Sequence, residues 1–189
     1  MLILASESPR RRELLSTLGI PFEIRSARIE ELEQAEEACS VSLLPQMNAC
    51  LKARAVGELY PEAVVLGADT AIVFEEKLIG KPRDLDDARR ILAMLSGKTH
   101  QVITGIALLK TGENAFCRQW SEVSDVVFKS FDAVVLEEYL KRVHVLDKAG
   151  AYAIQECGDM IVSRFTGELN NIIGLPLRRL EEELRKIRL

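Results

Sequence analysis

No two of the four cysteines, Cys39, Cys50, Cys117 and Cys157, are spaced as a C-x-x-C pair. That spacing offers neither a zinc site nor a disulfide frame, and it predicts reduced thiols in a reducing compartment. Histidine is scarcer: His100 and His144 stand far apart in sequence, which weakens a His-based metal or triad site. His100 reads as a loop or strand-edge residue. No run approaches the roughly 18 apolar residues of a membrane span. The apolar start Met1-Leu2-Ile3-Leu4-Ala5 is too short for a signal peptide. The expectation is therefore a cytoplasmic protein with no membrane partner. Basic excess is also missing. A net charge of −4 argues against a general nucleic-acid binder, yet leaves room for an anionic small molecule if the cations cluster. Three familiar loops are absent as well. Without G-x-x-x-x-G-K-[ST], G-x-G-x-x-G or G-x-S-x-G, a P-loop NTPase, a dinucleotide oxidoreductase and an esterase-type elbow are disfavoured.

What is present suits a soluble α/β domain. At 189 residues with 48% hydrophobic and 29% charged side chains, the chain can build one core, or one core split into two lobes around a cleft. There is no repeat and no linker, so residues 1–189 read as a single domain. Leu2-Ile3-Leu4-Ala5 predicts a buried first strand. Ser8 is a good N-cap and Pro9 a good first helical residue, so Arg10, Arg11 and Arg12 fall in the first turn of a helix that stops near Gly19. Cations are disfavoured there by the helix dipole, and an anion at that end removes the conflict. A solvated basic turn is the plainer alternative.

Further strands and helices follow the same rules. Residues 44–59 read as a helix carrying Lys52. Ala63-Val64-Val65-Leu66 and Ala71-Ile72-Val73-Phe74 flank Gly67-Ala68-Asp69-Thr70. Asp69 is predicted at a strand end, where it would hold a proton, a cation or a donor, or else simply open a turn. Glu75-Glu76-Lys77 reads as a hairpin turn, and Gly80-Lys81-Pro82 as a loop bearing a compact cation. Asp84 and Asp132 cap predicted helices, and residues 101–109 and 115–129 read as strands. Residues 160–165 read as a strand, Asn170 to Gly174 as a turn, and Leu177 onward as a last amphipathic helix. The acidic run from Glu30 to Glu37 reads as a solvated face from which one or two carboxylates could reach a metal.

The polar residues beside these elements make a coherent set: Arg10, Arg11, Arg12, Glu30, Glu31, Lys52, Asp69, Lys81, Asp147, Lys148 and Gln155. Several cations with a few carboxylates suit a polyphosphate and a divalent metal, because Mg²⁺ needs only one or two protein carboxylates beside phosphate oxygens. Cations would neutralise charge on a leaving pyrophosphate. Asp69 could deprotonate the attacking water or bind the metal that polarises it. Gln155 both donates and accepts, which suits reading a base edge.

The blocks Leu4-Ala5-Ser6-x-Ser8-Pro9-Arg10-Arg11-Arg12-Glu13-Leu14-Leu15, Gly67-Ala68-Asp69-Thr70, Gly80-Lys81-Pro82-Arg83-Asp84, Leu95-Ser96-Gly97-x-x-His100, Asp147-Lys148-Ala149-Gly150-Ala151-Tyr152-x-Ile154-Gln155 and Gly174-Leu175-Pro176-Leu177 together resemble the Maf family, in order and over essentially the whole chain. The resemblance implies an inosine-triphosphate-pyrophosphatase-like α/β fold, a twisted mixed sheet flanked by helices with two lobes around a deep cleft, often as a homodimer. It implies a cytoplasmic nucleoside triphosphate pyrophosphatase that needs Mg²⁺ or Mn²⁺ and has Asp69 as proton acceptor. Arg10, Thr70 and Gln155 fall on the family's specificity positions and look like the dTTP/UTP subgroup. Lys52 and Lys81 match positions linked to phosphate or metal handling, and Arg11 and Arg12 join them as phosphate ligands from their place at the helix start. Glu31 matches a position linked to phosphate or metal handling and pairs with Asp69 as a candidate metal ligand, while Asp147 and Lys148 are candidates to bind the metal or to support its ligands. The alternative the resemblance carries is a nucleotide-binding regulator of septum formation acting through a protein partner. Val143-His144 stand where the family usually has Gly-Glu, and Glu168 where it usually has Ser.

Overall fold

A computed structural model describes residues 1–32 and 40–187 of the chain. Most of the acidic run, Glu33 to Glu37, lies outside the described residues, as does Cys39. Seven strands form one mixed sheet: β1 (Leu2–Leu4), β2 (Phe22–Ile24), β3 (Val64–Phe74), β4 (Lys77–Ile79), β5 (Thr99–Lys110), β6 (Phe116–Phe128) and β7 (Val162–Phe165). The order is β2-β1-β3-β5-β6-β7, with β4 paired to β3. β1 runs parallel to β2 and β3, while β4 and β7 lie antiparallel to their neighbours. Seven α-helices accompany the strands among the described residues: α1 (Pro9–Ser16), α2 (Leu44–Gly57), α3 (Leu85–Leu95), α4 (Ala133–Arg142), α5 (Gly158–Ile161), α6 (Leu169–Ile173) and α7 (Leu177–Arg185). None is long and apolar enough to cross a membrane.

The chain divides into two compact units. The first comprises Met1–Thr70, Thr104–Glu122 and Gly174–Leu189; the second comprises Ala71–Ile103 and Val123–Ile173. In the first unit, the alternation of side chains along a strand sorts the apolar residues into two cores. Leu2, Leu4, Val64, Leu66, Ala68, Ile106 and Leu108 join Leu15, Leu180 and Leu184 of α1 and α7. Ile3, Ala63, Val65, Ala107 and Leu109 join Ala49, Ala53 and Val56 of α2. Both faces are buried, which is why these strands read as continuous apolar runs rather than as alternation. Gly67 and Gly105 lie on the α2 side. A Cβ on Gly67 would come within 2.0 Å of the Ala49 carbonyl oxygen, and one on Gly105 within 2.2 Å of the Gln46 nitrogen. These two glycines let α2 rest directly on the sheet.

The helix caps form where the sequence predicts them. The Ser8 hydroxyl accepts from the Arg11 N–H, Asp84 from Asp87 N–H at 2.8 Å, and Asp132 from the Val134 and Val135 N–H groups at 3.0 Å. Glu75 and Glu76, at φ 49° and 60°, make the β3–β4 turn. Three local expectations are corrected. Asp69 does not end a strand: β3 runs unbroken from Val64 to Phe74, because the second apolar run continues the first. The strand expected from Met160 begins at Val162, after the short helix α5. The turn expected at Asn170 is the helix α6, where the Asn171 amide is buried and donates to the Val102 carbonyl and the Ser124 hydroxyl. Tertiary hydrogen bonding there overrides the turn preference of Asn-Asn.

His100 is likewise no loop or edge residue. It lies in β5, 2% exposed, with Nε2 2.8 Å from the Tyr152 hydroxyl and its ring edge-on to Phe128. Nδ1 is buried without a partner among the described residues. Burial pushes its pKa down to about 4. The folded state keeps this imidazole neutral while the unfolded chain takes a proton near pH 6.5, so stability falls as pH drops from 6.5 towards 4. The expected loss is about 3 kcal/mol across that window. Urea midpoints at pH 7 and pH 4.5 check it: His100→Asn should show a shallower pH dependence than the wild type, and equal slopes would refute the assignment.

Candidate active site

Asp69 and Thr70 are neighbours in β3, so their side chains leave opposite faces of the sheet. Asp69 shares its face with Ala63, Val65 and Gly67 and meets α2. Lys52 and Asn48 are one helical turn apart on α2 and both reach it. Lys52 Nζ lies 2.7 Å from Asp69 Oδ1 and 2.8 Å from Glu31 Oε1. Asn48 Nδ2 donates to Asp69 Oδ2 at 3.3 Å. The lysine and aspartate side chains are 9% and 13% exposed, the Glu31 side chain 54%. One nearly buried ammonium is thus held by two carboxylates, one of them open to solvent. The trio carries a net charge of −1, which an added cation would neutralise.

On the opposite face, Thr70 meets α1. Arg11 reaches back from the first turn and donates from Nη2 to the Thr70 hydroxyl at 3.1 Å, from Nη1 to Ser6 Oγ at 3.3 Å and from Nε to the Gly174 carbonyl at 3.0 Å. Thr70 Oγ1 is also 3.0 Å from Thr104 Oγ1. Arg11 therefore fastens the start of α1, the middle of β3 and the turn before α7. Burial lowers its pKa, and the Asp69 and Glu31 carboxylates oppose that shift. The side chains of Arg10 and Arg12 make no hydrogen bond or ion pair among the described residues; Arg10 is half-buried and Arg12 exposed.

The other predicted residues belong to the second unit. Lys81 is exposed on the loop after β4. The Gly150 N–H donates to the Gly80 carbonyl at 3.0 Å, so the Lys81 loop and the Asp147–Gly150 loop are fastened together. Gly150 takes φ 68°, which glycine adopts without strain. Lys148 is buried, and its ammonium is held by Asp147 Oδ1 at 2.9 Å, Glu156 Oε1 at 3.4 Å and the His144 carbonyl. Gln155 is exposed in the turn before α5. Asp87, in the first turn of α3, accepts from the Arg83 N–H and from Arg90, which holds its pKa down at about 2 and steadies the Arg83 end of the Lys81 loop. The two departures from the family pattern act through main chain. His144 serves Lys148 by its carbonyl, and the Glu168 carbonyl receives the Asn171 N–H and the Ser124 hydroxyl.

In the first unit, then, the predicted residues gather in two groups on opposite faces of β3, Glu31 and Lys52 with Asp69 on one and Arg11 with Thr70 on the other. Asn48 is the residue that sequence reasoning missed; the usable signal was its i, i+4 spacing to Lys52 on the face that meets the sheet. Glu31 and Asp69 could ligate a metal. No group of three or more His, Cys, Asp or Glu side chains gathers among the described residues, so any metal here would take most of its ligands from water and substrate. Hard carboxylate oxygens in a net-negative cluster fit Mg²⁺ or Mn²⁺ on that basis.

The family model described as Maf-like protein matches residues 1–187. A relative in Akkermansia muciniphila, named dTTP/UTP pyrophosphatase, is 42% identical over 180 residues, covering 93% of this chain and 90% of that one. A relative of the same name in Dictyoglomus thermophilum is 38% identical over 186 residues, covering 98% and 95%. Among solved structures, the Staphylococcus aureus Ham1 protein superposes with a TM-score of 0.55 over 98% of both chains, at 13% identity. At that identity the likeness is one of fold, and it agrees with the mixed α/β architecture. The full-length match and the relatives near 40% identity give the same answer: the chain belongs to the Maf-like protein family.

Proposed function

We propose that the protein is a nucleoside triphosphate pyrophosphatase that hydrolyses dTTP and UTP, and modified pyrimidine nucleotides of the same shape, to the monophosphate and pyrophosphate. The observation that carries the reading is the Asp69–Lys52–Glu31 trio, an acid in contact with a nearly buried ammonium beside a second, solvent-facing carboxylate. The names carried by the relatives in Akkermansia muciniphila and Dictyoglomus thermophilum support the substrate class.

The chemistry assigns each group a task. Water attacks the α-phosphorus, a new P–O bond forms, and the α–β bridging bond breaks with its electron pair leaving on pyrophosphate. Asp69 orients the water and takes its proton. Lys52, 2.7 Å from Oδ1, keeps Asp69 in place. Arg12 and Lys81 hold phosphate oxygens and offset the charge that builds on the leaving group. Arg11, already fastened to protein, completes the cationic side with its remaining N–H groups. Arg10, Thr70 and Gln155 read the nucleoside, Gln155 through an amide that matches a pyrimidine edge. Asp147 and Lys148 hold their loop against that of Lys81. Glu31 and Asp69 would hold a divalent cation, which when bound neutralises phosphate charge. As part of the same proposal, the enzyme works as a homodimer in the cytoplasm on free nucleotides.

Pyrophosphate release across the four ribo- and four deoxyribonucleoside triphosphates, with Mg²⁺ or Mn²⁺, tests the reading. dTTP and UTP should give the highest kcat/KM, with monophosphate and pyrophosphate in equal amounts. Release of orthophosphate instead, or a preference for purines, would overturn it.

A further inference from the structure

Asn48 sits near the start of α2, 4% exposed, and uses both donors and one acceptor position of its amide. Its Oδ1 accepts from the Leu32 N–H at 2.8 Å, and its Nδ2 donates both to the Leu32 carbonyl at 3.1 Å and to Asp69 Oδ2 at 3.3 Å. The orientation of the amide is fixed by its partners. Turned over, it would face an N–H with an N–H and two oxygens with an oxygen. One side chain thus reads the backbone of residue 32 from both sides and holds the carboxylate of residue 69. Leu32 follows Glu31, whose carboxylate is the solvent-facing partner of Lys52.

Among the twenty side chains this task is narrow. Aspartate offers the acceptor without the two donors, and it would put a third carboxylate beside Glu31 and Asp69. Alanine offers nothing, and the Leu32 polar groups would turn to water. Lys52 alone cannot set the separation of the two acids, because an ammonium on a flexible four-carbon stem accepts many geometries. A planar amide tied at three points permits few.

We infer that Asn48 is the positioning residue of the acidic pair: it ties the segment bearing Glu31 to Asp69 and so fixes where the two carboxylates stand around Lys52. The inference rests on the proposed pyrophosphatase reading. A positioning role predicts an effect on turnover rather than on substrate binding, since the substrate is not what Asn48 touches.

The test pairs kinetics with amide hydrogen exchange at Leu32 in the full-length protein, using dTTP and Mg²⁺. In Asn48→Ala the Leu32 amide should lose its protection, and kcat should fall roughly 10- to 100-fold with KM little changed. In Asn48→Asp the Leu32 amide should stay protected by the remaining acceptor, while kcat falls at least as far. Circular dichroism and thermal melting correct both values for the folded fraction. A wild-type kcat in either variant after that correction, or an unchanged Leu32 amide in Asn48→Ala, would overturn the inference and leave the pyrophosphatase reading standing. A wild-type protein that releases no pyrophosphate would sink that reading and this inference with it, while exchange at Leu32 would still report whether the clamp exists.

Discussion

Asp69→Asn is expected to lower kcat for dTTP by about 10³-fold, the scale of a lost general base, while the protein stays folded. The substitution keeps the shape of the side chain, but its amide has one acceptor oxygen, so of the two N–H donors now on Asp69, Lys52 Nζ and Asn48 Nδ2, only one keeps its acceptor. It removes the charge that orients and deprotonates water. Lys52 keeps Glu31 as a partner, so its ammonium is not stranded, and the expected cost in stability is about 1–3 kcal/mol. The Mg²⁺ dependence of the residual activity separates the two roles open to Asp69. If it serves only as base, the metal concentration for half-maximal rate stays where it was. If it also ligates metal, that concentration rises roughly 10- to 100-fold. Retention of more than about a tenth of the wild-type kcat would remove Asp69 from the mechanism.

The parts of this site that were legible in the sequence share a physical cause: they are written in local rules. Ser8 with Pro9, Asp84 and Asp132 announce helix starts because a short polar side chain can reach the free N–H groups of the next turn. The apolar runs at 2–5 and 63–66 announce buried strands because both faces of the sheet are covered. What the sequence concealed depends on contacts between distant segments. Gly67 reads as punctuation between two short strands, yet it is the seat of a helix inside one long strand. Three arginines in one helical turn read as a uniform cationic patch, yet Arg11 turns inward to Thr70 and Gly174 while Arg10 and Arg12 stay outward. Asn48 carries only a weak local signature, its i, i+4 spacing to Lys52, because its partner Leu32 lies sixteen residues away across a stretch with no strong pattern. The candidate base was recognisable from its block, but what holds it in place was not.

Gly67→Ala is expected to cost about 3 kcal/mol or more, because the new methyl would meet backbone rather than a side chain that can swing aside. Its Cβ would stand 2.0 Å from the Ala49 carbonyl oxygen and 2.9 Å from the Ala53 nitrogen. Gly105→Ala should behave alike, with Gln46 N at 2.2 Å and the Pro45 carbonyl carbon at 2.3 Å. In a chain of this size that loss corresponds to a fall in melting temperature of about 6–12 °C. Gly80→Ala is the control: nothing lies within 4 Å of its Cβ, and the change should leave the melting temperature within about 2 °C. The stability loss is only half of the expectation. Relief of either clash requires α2 to lift from the sheet, and α2 carries Asn48 and Lys52. A displacement near 1 Å would part both from Asp69, and misplacement on that scale costs about 10²-fold in rate. Activity of Gly67→Ala measured well below its melting temperature should therefore fall by about that factor even in fully folded protein. A variant that melts early but turns over dTTP at the wild-type rate would show that the seating of α2 serves stability alone, and that the site tolerates movement of the helix that bears its lysine.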